Sequence, residues 1–366
     1  MRFAIAAGGT GGHLFPGLAV AEVLHSRGHE VMVLTSEKHI DAVATEGRSE
    51  FRIERLPGVG LPRKLSLEAA TFFLRFARGV LHCRSLFADF QPTAVLGMGG
   101  FTSTAPILAA RLRGTPVFVH ESNAIPGKAN RLNARIVGGL LVGLQDCVST
   151  VPNIPCTVTG TPIRRALCLR PSVGEARLKF GLDPEVPTIL VMGGSQGARG
   201  INQAMVDALP LLSGLSVQFV HITGPSDEDS IREAYQRAGK AAWVGAFHHA
   251  MQDAYSAASL AVARSGAASL TELAYFQVPS ILIPYPFAAE DHQTLNARVF
   301  EQAGAAVLMP ESKASGQRLD SEIRAFLEPK RREVMVAACA AMTVSDAAER
   351  VAEVLLKAAN LAGGKL

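Results

Sequence analysis

The chain has 366 residues, with 36 Lys and Arg against 32 Asp and Glu, 48% hydrophobic side chains and 19% charged ones. At about 150 residues per domain this length predicts two domains, each able to bury a core without disulfide or metal staples, and excludes a peptide, a disordered tail or a small stapled scaffold. A net charge of +4 is far from the concentrated basic charge of a nucleic-acid binder, so no nucleic-acid partner is expected.

The five cysteines, Cys83, Cys147, Cys156, Cys168 and Cys339, are odd in number and scattered, with no C-x-x-C pair and no histidine at metal-ligand spacing. They read as buried thiols in a reducing compartment, with no metal site. About five apolar residues precede Gly8, too few for a signal-peptide core, and no apolar run approaches the roughly 18 that span a bilayer. A cytoplasmic protein is expected, and that expectation is compatible with lying on a membrane surface.

Short apolar runs that end in glycine clusters and lead into helical patterns predict parallel βαβ construction. Residues 3–7 predict a strand, followed by Gly8-Gly9-Thr10-Gly11-Gly12, a helix from about Pro16 to Ser26 and a strand over 30–34. Residues 65–84 differ in character. Leu65, Ala69, Phe72, Phe73, Phe76 and Val80 fall on one helical face, Leu67, Leu74 and Leu81 lie beside it, and Arg63, Lys64, Arg75, Arg78 and Arg84 are interspersed. Such a helix either packs as core or sits in an anionic membrane interface, where each cation contributes about 1 kcal/mol.

Residues 94–96 predict a strand before Gly97-Met98-Gly99-Gly100 and a helix through Arg111; residues 116–119 predict another, ending at His120-Glu121-Ser122-Asn123. Pro152, Pro155, Pro162 and Pro171 mark a linker. Beyond it, residues 188–192 lead into Gly193-Gly194-Ser195-Gln196-Gly197, which repeats the order of strand, glycine loop and helix. Further strands are predicted at 217–222, 260–263 and 280–284. The segment 346–358 carries Val351, Val354, Leu355 and Ala358 at helical spacing and should dock rather than dangle.

A glycine loop between strand and helix brings backbone N–H groups and the positive helix end to an anion such as a phosphate. None of the three loops has the Gly-Lys-Ser/Thr of a P-loop, and residues 31–36 offer no carboxylate at the ribose position of a dinucleotide fold, so both of those chemistries are disfavoured. In Arg264-Ser265-Gly266-Ala267-Ala268-Ser269-Leu270-Thr271-Glu272, small residues open a helix and a carboxylate follows about a turn later. Glu272 can accept two hydrogen bonds from a ribose diol whose phosphates sit on the same helix end, or it can simply complement the helix dipole. Asp291-His292-Gln293 places polar side chains at another strand end, suited to sugar hydroxyls.

Taken in order, Gly8 to His13 with Pro16-Gly17, Gly97 to Gly100, His120 to Asn123, Gly193 to Ala198, Arg264 to Glu272, and Asp291 to Thr294 with Asn296-Ala297 are a specific set. On these residues the sequence resembles the MurG family of peptidoglycan N-acetylglucosaminyltransferases over essentially its whole length. The resemblance implies an α/β GT-B fold, two Rossmann-like parallel-sheet domains facing each other across a cleft. Residues 1–161 would form the acceptor and membrane-facing domain and 162–341 the UDP-sugar domain, with a helix at about 342–366 packing back on the first. It implies inverting transfer of N-acetylglucosamine from UDP-N-acetylglucosamine to undecaprenyl-pyrophosphoryl-N-acetylmuramoyl-pentapeptide (lipid I), with no obligatory cofactor. The protein would sit peripherally on the cytoplasmic face of the inner membrane, meeting an anionic surface through residues 65–84.

Carried over by position, Thr10, Gly11 and Gly12 would face the donor sugar and acceptor pyrophosphate, and Asn123 the donor sugar. Arg164 and Ser195 would contact the UDP diphosphate, Ala267, Ala268, Ser269, Leu270, Thr271 and Glu272 the phosphate and ribose, and Gln293 the sugar hydroxyls. The uracil contact falls at His248, where family members usually carry an aliphatic residue. Ser122 and Thr161 also depart from the family's usual Gln and Asn. Inversion needs a base opposite the leaving group. His13 is the candidate, either as base or as a cation positioning the acceptor pyrophosphate; Glu121 is a second candidate, as base or as the group that orients the histidine. Another UDP-sugar transferase acting on a lipid, or a non-catalytic nucleotide-binding protein on a membrane surface, are the alternatives.

Overall fold

The structure is a computed structural model and describes residues 1–57, 67–194 and 197–363. The chain divides into two compact units, Met1–Arg164 with Val344–Leu366, and Arg165–Thr343. Each is built on a wholly parallel sheet.

The first unit contains β1 (Arg2–Ala6), β2 (Glu30–Ser36), β3 (Arg52–Leu56), β4 (Ala94–Gly97), β5 (Val117–Glu121), β6 (Gly139–Val142) and β7 (Cys156–Val158), in the order β3-β2-β1-β4-β5-β6-β7. Phe3, Ala4, Ile5 and Ala6 are all fully buried, as expected of a parallel strand covered on both faces. The strand order reverses between β1 and β4. That is the place in an open α/β sheet where loops at the strands' carboxyl ends part and a ligand can enter. The two loops there carry Gly8 to Thr10 and Met98 to Gly100.

The second unit contains β8 (Thr188–Met192), β9 (Gln218–Ile222), β10 (Ala242–Gly245), β11 (Leu260–Ala263), β12 (Ser280–Leu282) and β13 (Ala306–Leu308), ordered β10-β9-β8-β11-β12-β13. Its reversal lies between β8 and β11, beside the glycine loop after Met192 and the segment Arg264 to Gly266.

Three of the differences from the sequence expectation bear on the candidate residues. The first helix runs Gly11–Ser26 and carries Pro16 inside it rather than at its start, because the glycine loop feeds directly into the first turn. Residues 120 and 121 belong to β5 instead of following it, which fixes Glu121 on a rigid strand end. The helix at residues 65–84 is Leu67–Phe90, and its apolar residues divide between two faces. Phe76 packs against Val80, Cys83 and Phe87 in a core with Ala4, Met32 and Val95, whereas Phe73, Leu74 and Leu81 are each 62% exposed. Residues 63–66 lie outside the described residues.

The helix Ala347–Gly363 buries Val351, Ala352, Leu355 and Ala359, an i, i+4, i+8 stripe with one neighbour, against Phe3, Ile5, Leu14 and Leu18 of the first unit. At about 25 cal/mol per Å² of apolar surface, each larger side chain in that stripe contributes on the order of 1.5–3 kcal/mol. Gly160 and Val344 are in contact, since a Cβ on Gly160 would lie 2.6 Å from that of Val344. The chain therefore leaves the first unit and rejoins it at one place.

Candidate functional site

The candidate residues form two groups, one in each unit. In the first, Thr10 precedes the helix Gly11–Ser26, whose first N–H groups lack intrahelical acceptors. The Thr10 hydroxyl lies 3.2 Å from His13 Nδ1. Across the sheet reversal the His13 ring lies against Gly99 and Gly100: a Cβ on Gly99 would come within 3.0 Å of His13 Nε2 and 3.2 Å of Asn130 Nδ2. Gly99 also has φ +107°, so both space and backbone call for glycine there.

The loop is held from below. Asp41, fully buried, accepts hydrogen bonds at Oδ2 from the Gly9 N–H and the Ser36 N–H, both 2.8 Å, and from the Ser36 hydroxyl. Lys38 Nζ donates to the Gly9 carbonyl at 2.8 Å. Glu121 is a second hub. Its Oε1 accepts from the N–H and side-chain amide of Asn123 at 2.9 and 2.8 Å, and its Oε2 from the Gly127 N–H at 3.0 Å and Asn130 Nδ2 at 2.9 Å. With both oxygens doubly engaged, Glu121 is built to fix this loop and suits neither proton abstraction nor direct orientation of an imidazole. Neighbouring His120 is a core residue, donating from Nε2 to the Gly160 carbonyl at 3.0 Å.

Burial lowers the His13 pKa below its ordinary value, outweighing the opposite pull of Glu121 and Asp41, while Lys38 lowers it further. The lowered pKa favours the neutral ring, the state a base needs, over the anion-holding cation. Arg164 belongs to this unit too, with its guanidinium 4.3 Å from the centre of the Phe15 ring.

In the second unit, Gly266 precedes the helix Ala267–Tyr275 and gives it no side-chain cap. Ala267, Ala268 and Ser269 open that helix with no acidic residue in the first turn. Leu270 is withdrawn, its side chain in the core and its N–H donated to the Gly266 carbonyl at 3.0 Å. The Thr271 hydroxyl is turned back to the Ala267 carbonyl at 2.9 Å. Glu272 is the sixth residue, beyond the first turn where a dipole partner would sit, and its Oε2 accepts from the Tyr255 hydroxyl at 2.7 Å. The Ser265 hydroxyl donates to the Gln293 carbonyl at 2.8 Å, joining this helix end to the next segment. Gln293 Oε1 accepts from the Tyr285 N–H at 2.9 Å, so its amide Nε2 is the end that presents donors.

His248 packs edge-on or tilted against Phe180 and Trp243, with ring centroids 4.9 and 5.2 Å away, and burial lowers its pKa despite Asp253. The imidazole is thus packed within an aromatic cluster. Ser195 lies outside the described residues. Beside it, Gly197 has φ +75° and approaches β9 so closely that a Cβ would meet the Thr223 carbonyl at 2.1 Å. Asn202 donates to that carbonyl at 3.0 Å and to Asp227 at 2.8 Å, and accepts from His221 Nε2 at 3.0 Å, while the Tyr235 hydroxyl donates to His221 Nδ1 at 3.1 Å. Burial pushes His221 down to about 3.

Lys38, Asp41, Asn130, Asn202 and Tyr255 were not picked out by sequence reasoning. Lys38 and Asp41 follow the carboxyl end of β2, and only the pairing of β2 with β1 brings them to the loop after β1. Asn130, on the helix Lys128–Asn133, follows the His120 to Asn123 motif by seven positions without being part of it.

Residues 3–141 match the Glycosyltransferase family 28 N-terminal domain and residues 188–351 the Glycosyltransferase family 28 C-terminal domain. The chain is similar to the UDP-N-acetylglucosamine–N-acetylmuramyl-(pentapeptide) pyrophosphoryl-undecaprenol N-acetylglucosamine transferase of Geobacter sulfurreducens, with 36% identity covering 96% of this chain and 97% of that one. The Myxococcus xanthus protein of the same name is 38% identical, covering 97% and 92%. Among solved structures, Acinetobacter baumannii MurG superposes with a TM-score of 0.77 at 26% identity, covering 97% of this chain and 99% of that one. The UDP-GlcNAc 2-epimerase of Neisseria meningitidis, at 15% identity and a TM-score of 0.71 over 98% and 100% of the two chains, shares the fold alone.

Proposed function

The chain belongs to glycosyltransferase family 28, and we propose that it transfers N-acetylglucosamine from UDP-N-acetylglucosamine to undecaprenyl-pyrophosphoryl-N-acetylmuramoyl-pentapeptide, forming lipid II. One observation carries this reading: relatives named for that reaction match both units, at 36% and 38% identity over 96% and 97% of the chain.

The chemistry follows from the two groups. In an inverting transfer the acceptor hydroxyl attacks the anomeric carbon as UDP leaves from the opposite face, and the hydroxyl proton passes to a base. Neutral His13 takes that proton at an imidazole nitrogen; Thr10, against Nδ1, and Gly99, beneath Nε2, set the ring's angle. Thr10, Gly11 and Gly12 face the sugar and the acceptor pyrophosphate with N–H groups at a positive helix end. Glu121 holds Asn123 toward the donor sugar. The charge that develops on UDP meets the uncapped helix N-terminus at Ala267 to Ser269, with Arg164 and Ser195 as further polar support. Glu272 takes the ribose hydroxyls, Gln293 Nε2 donates to sugar hydroxyl oxygens, and the backbone at His248 meets the uracil.

The lipid-linked acceptor requires a surface. No helix among the described residues is long and apolar enough to cross a membrane. The stripe of Phe73, Leu74 and Leu81 with exposed Arg75, Arg78 and Arg84 suits a peripheral contact with the anionic cytoplasmic face of the inner membrane. Reversing the charge of Arg75 and Arg78 should release the protein from anionic vesicles, and unchanged binding in a folded variant would remove this part of the reading.

The decisive assay incubates labelled UDP-N-acetylglucosamine with a lipid I analogue. A labelled disaccharide product, absent with UDP-galactose, is expected. Failure to form the disaccharide, or conversion of the donor to its 2-epimer, would overturn the assignment.

A further inference from the structure

We propose that Tyr255 is a positioning residue for the donor, its hydroxyl holding the Glu272 carboxylate in the orientation that receives a ribose diol. The inference rests on the reading of Glu272 as the ribose acceptor. Tyr255 lies on the helix Met251–Ala257, is 2% exposed, and its ring packs 5.3 Å from that of Phe276. Its hydroxyl donates to Glu272 Oε2 at 2.7 Å, within the range of charge-assisted O–H to carboxylate bonds.

A glutamate has three side-chain torsions and, on an exposed helix surface, samples several rotamers, so a ligand must select one on binding. A buried tyrosine has little such freedom, and bonding to it passes its rigidity to the carboxylate. A carboxylate offers about four acceptor sites, so one bond from the phenol is compatible with accepting from the two vicinal hydroxyls of a ribose. The position of Glu272 gives the partner its purpose. At the sixth residue of its helix the carboxylate is too far in to rely on the first-turn N–H groups, and the support comes instead from a neighbouring helix.

The same bond could serve only to join the helices Met251–Ala257 and Ala267–Tyr275, and the test separates the two roles. Tyr255→Phe removes one oxygen and leaves the ring packing. Titration calorimetry with UDP and with 2′,3′-dideoxy-UDP, alongside kcat and KM for UDP-N-acetylglucosamine, reads the effect. For Tyr255→Phe the expected result is about fivefold weaker UDP binding with KM rising in parallel. kcat should stay within a factor of about two, and dideoxy-UDP should bind variant and wild type alike. Unchanged UDP affinity, or equal loss for both ligands, would overturn the proposal. Glu272→Ala tells the failures apart. If it weakens UDP binding while Tyr255→Phe does not, only the role of Tyr255 falls; if Glu272→Ala itself binds UDP normally, the ribose assignment falls and the proposal with it.

Discussion

The two units place a glycine loop and a reversal of strand order at corresponding points, yet they furnish them in opposite ways. Around the loop after β1 stand four titratable side chains, His13, Lys38, Asp41 and Glu121, at or just beyond the carboxyl ends of β1, β2 and β5. At the helix after β11 the first turn has no charged side chain, and the one carboxylate, Glu272, sits farther in. A bare helix end suits a ligand that brings its own negative charge. A cluster of interacting titratable groups suits a proton that must move. One architecture, used twice, carries a cluster of titratable groups in one unit and a bare helix end in the other, which is the division the proposed reaction needs.

The sharpest way to break that division is at His13. His13→Ala should lower kcat by about 10²- to 10⁴-fold, the range for loss of a general base, with UDP affinity by calorimetry within about twofold of wild type. A fall in kcat smaller than about tenfold would leave the first unit without its chemical role. The mirror-image variant, Glu272→Ala, should raise KM for the donor roughly ten- to a hundredfold, as expected for hydrogen bonds to a charged group, with a much smaller change in kcat. Were kcat to fall as far as KM rises, holding and chemistry would not be separable in this way.

A smaller effect concerns pH. Because burial lowers the His13 pKa, the neutral base persists as pH falls through 6.5, and the acidic limb of kcat should lie below that value. Lys38 contributes to the lowering, so Lys38→Met should move the limb toward higher pH, by a few tenths of a unit for a partly screened charge. A limb that does not move, or moves downward, would detach His13 from it. The smallest effect is expected from chelation: if a helix end rather than a metal supports the diphosphate, as proposed, treatment with EDTA should change kcat by less than about twofold.

Much of this was legible in the residues. β8 and β11 have the bounds expected from their apolar runs because both lie inside a sheet and are covered on both faces. The strands β3, β6, β7, β10 and β13 were not expected: four are edge strands, short or half-exposed and without a continuous apolar signal, and the interior β6 is only the four residues Gly139–Val142. The motifs pointed to His13, Glu121, Glu272 and Gln293, whereas their partners were silent. Asp41 reaches the Gly9 N–H across 32 positions, and Tyr255 reaches Glu272 across 17 from another helix, so neither contact leaves a local pattern. Glu121 was legible as important but not as saturated, because four converging donors are a property of folded space. On the helix Leu67–Phe90 the apolar residues were plain, but periodicity alone does not say which of two apolar faces meets the core.

The return of the chain to its first unit has a consequence for how the protein is made. Phe3, Ile5, Leu14 and Leu18 emerge from the ribosome early, but the helix that covers them, Ala347–Gly363, is translated after the whole of the second unit. At about 5–20 residues per second, the incomplete first unit waits on the order of ten to forty seconds for its last piece. During that interval an apolar surface beside β1 is open, and the second unit can fold completely before the first is closed. Synthesis thus orders the assembly: the second unit is ready before the first is closed.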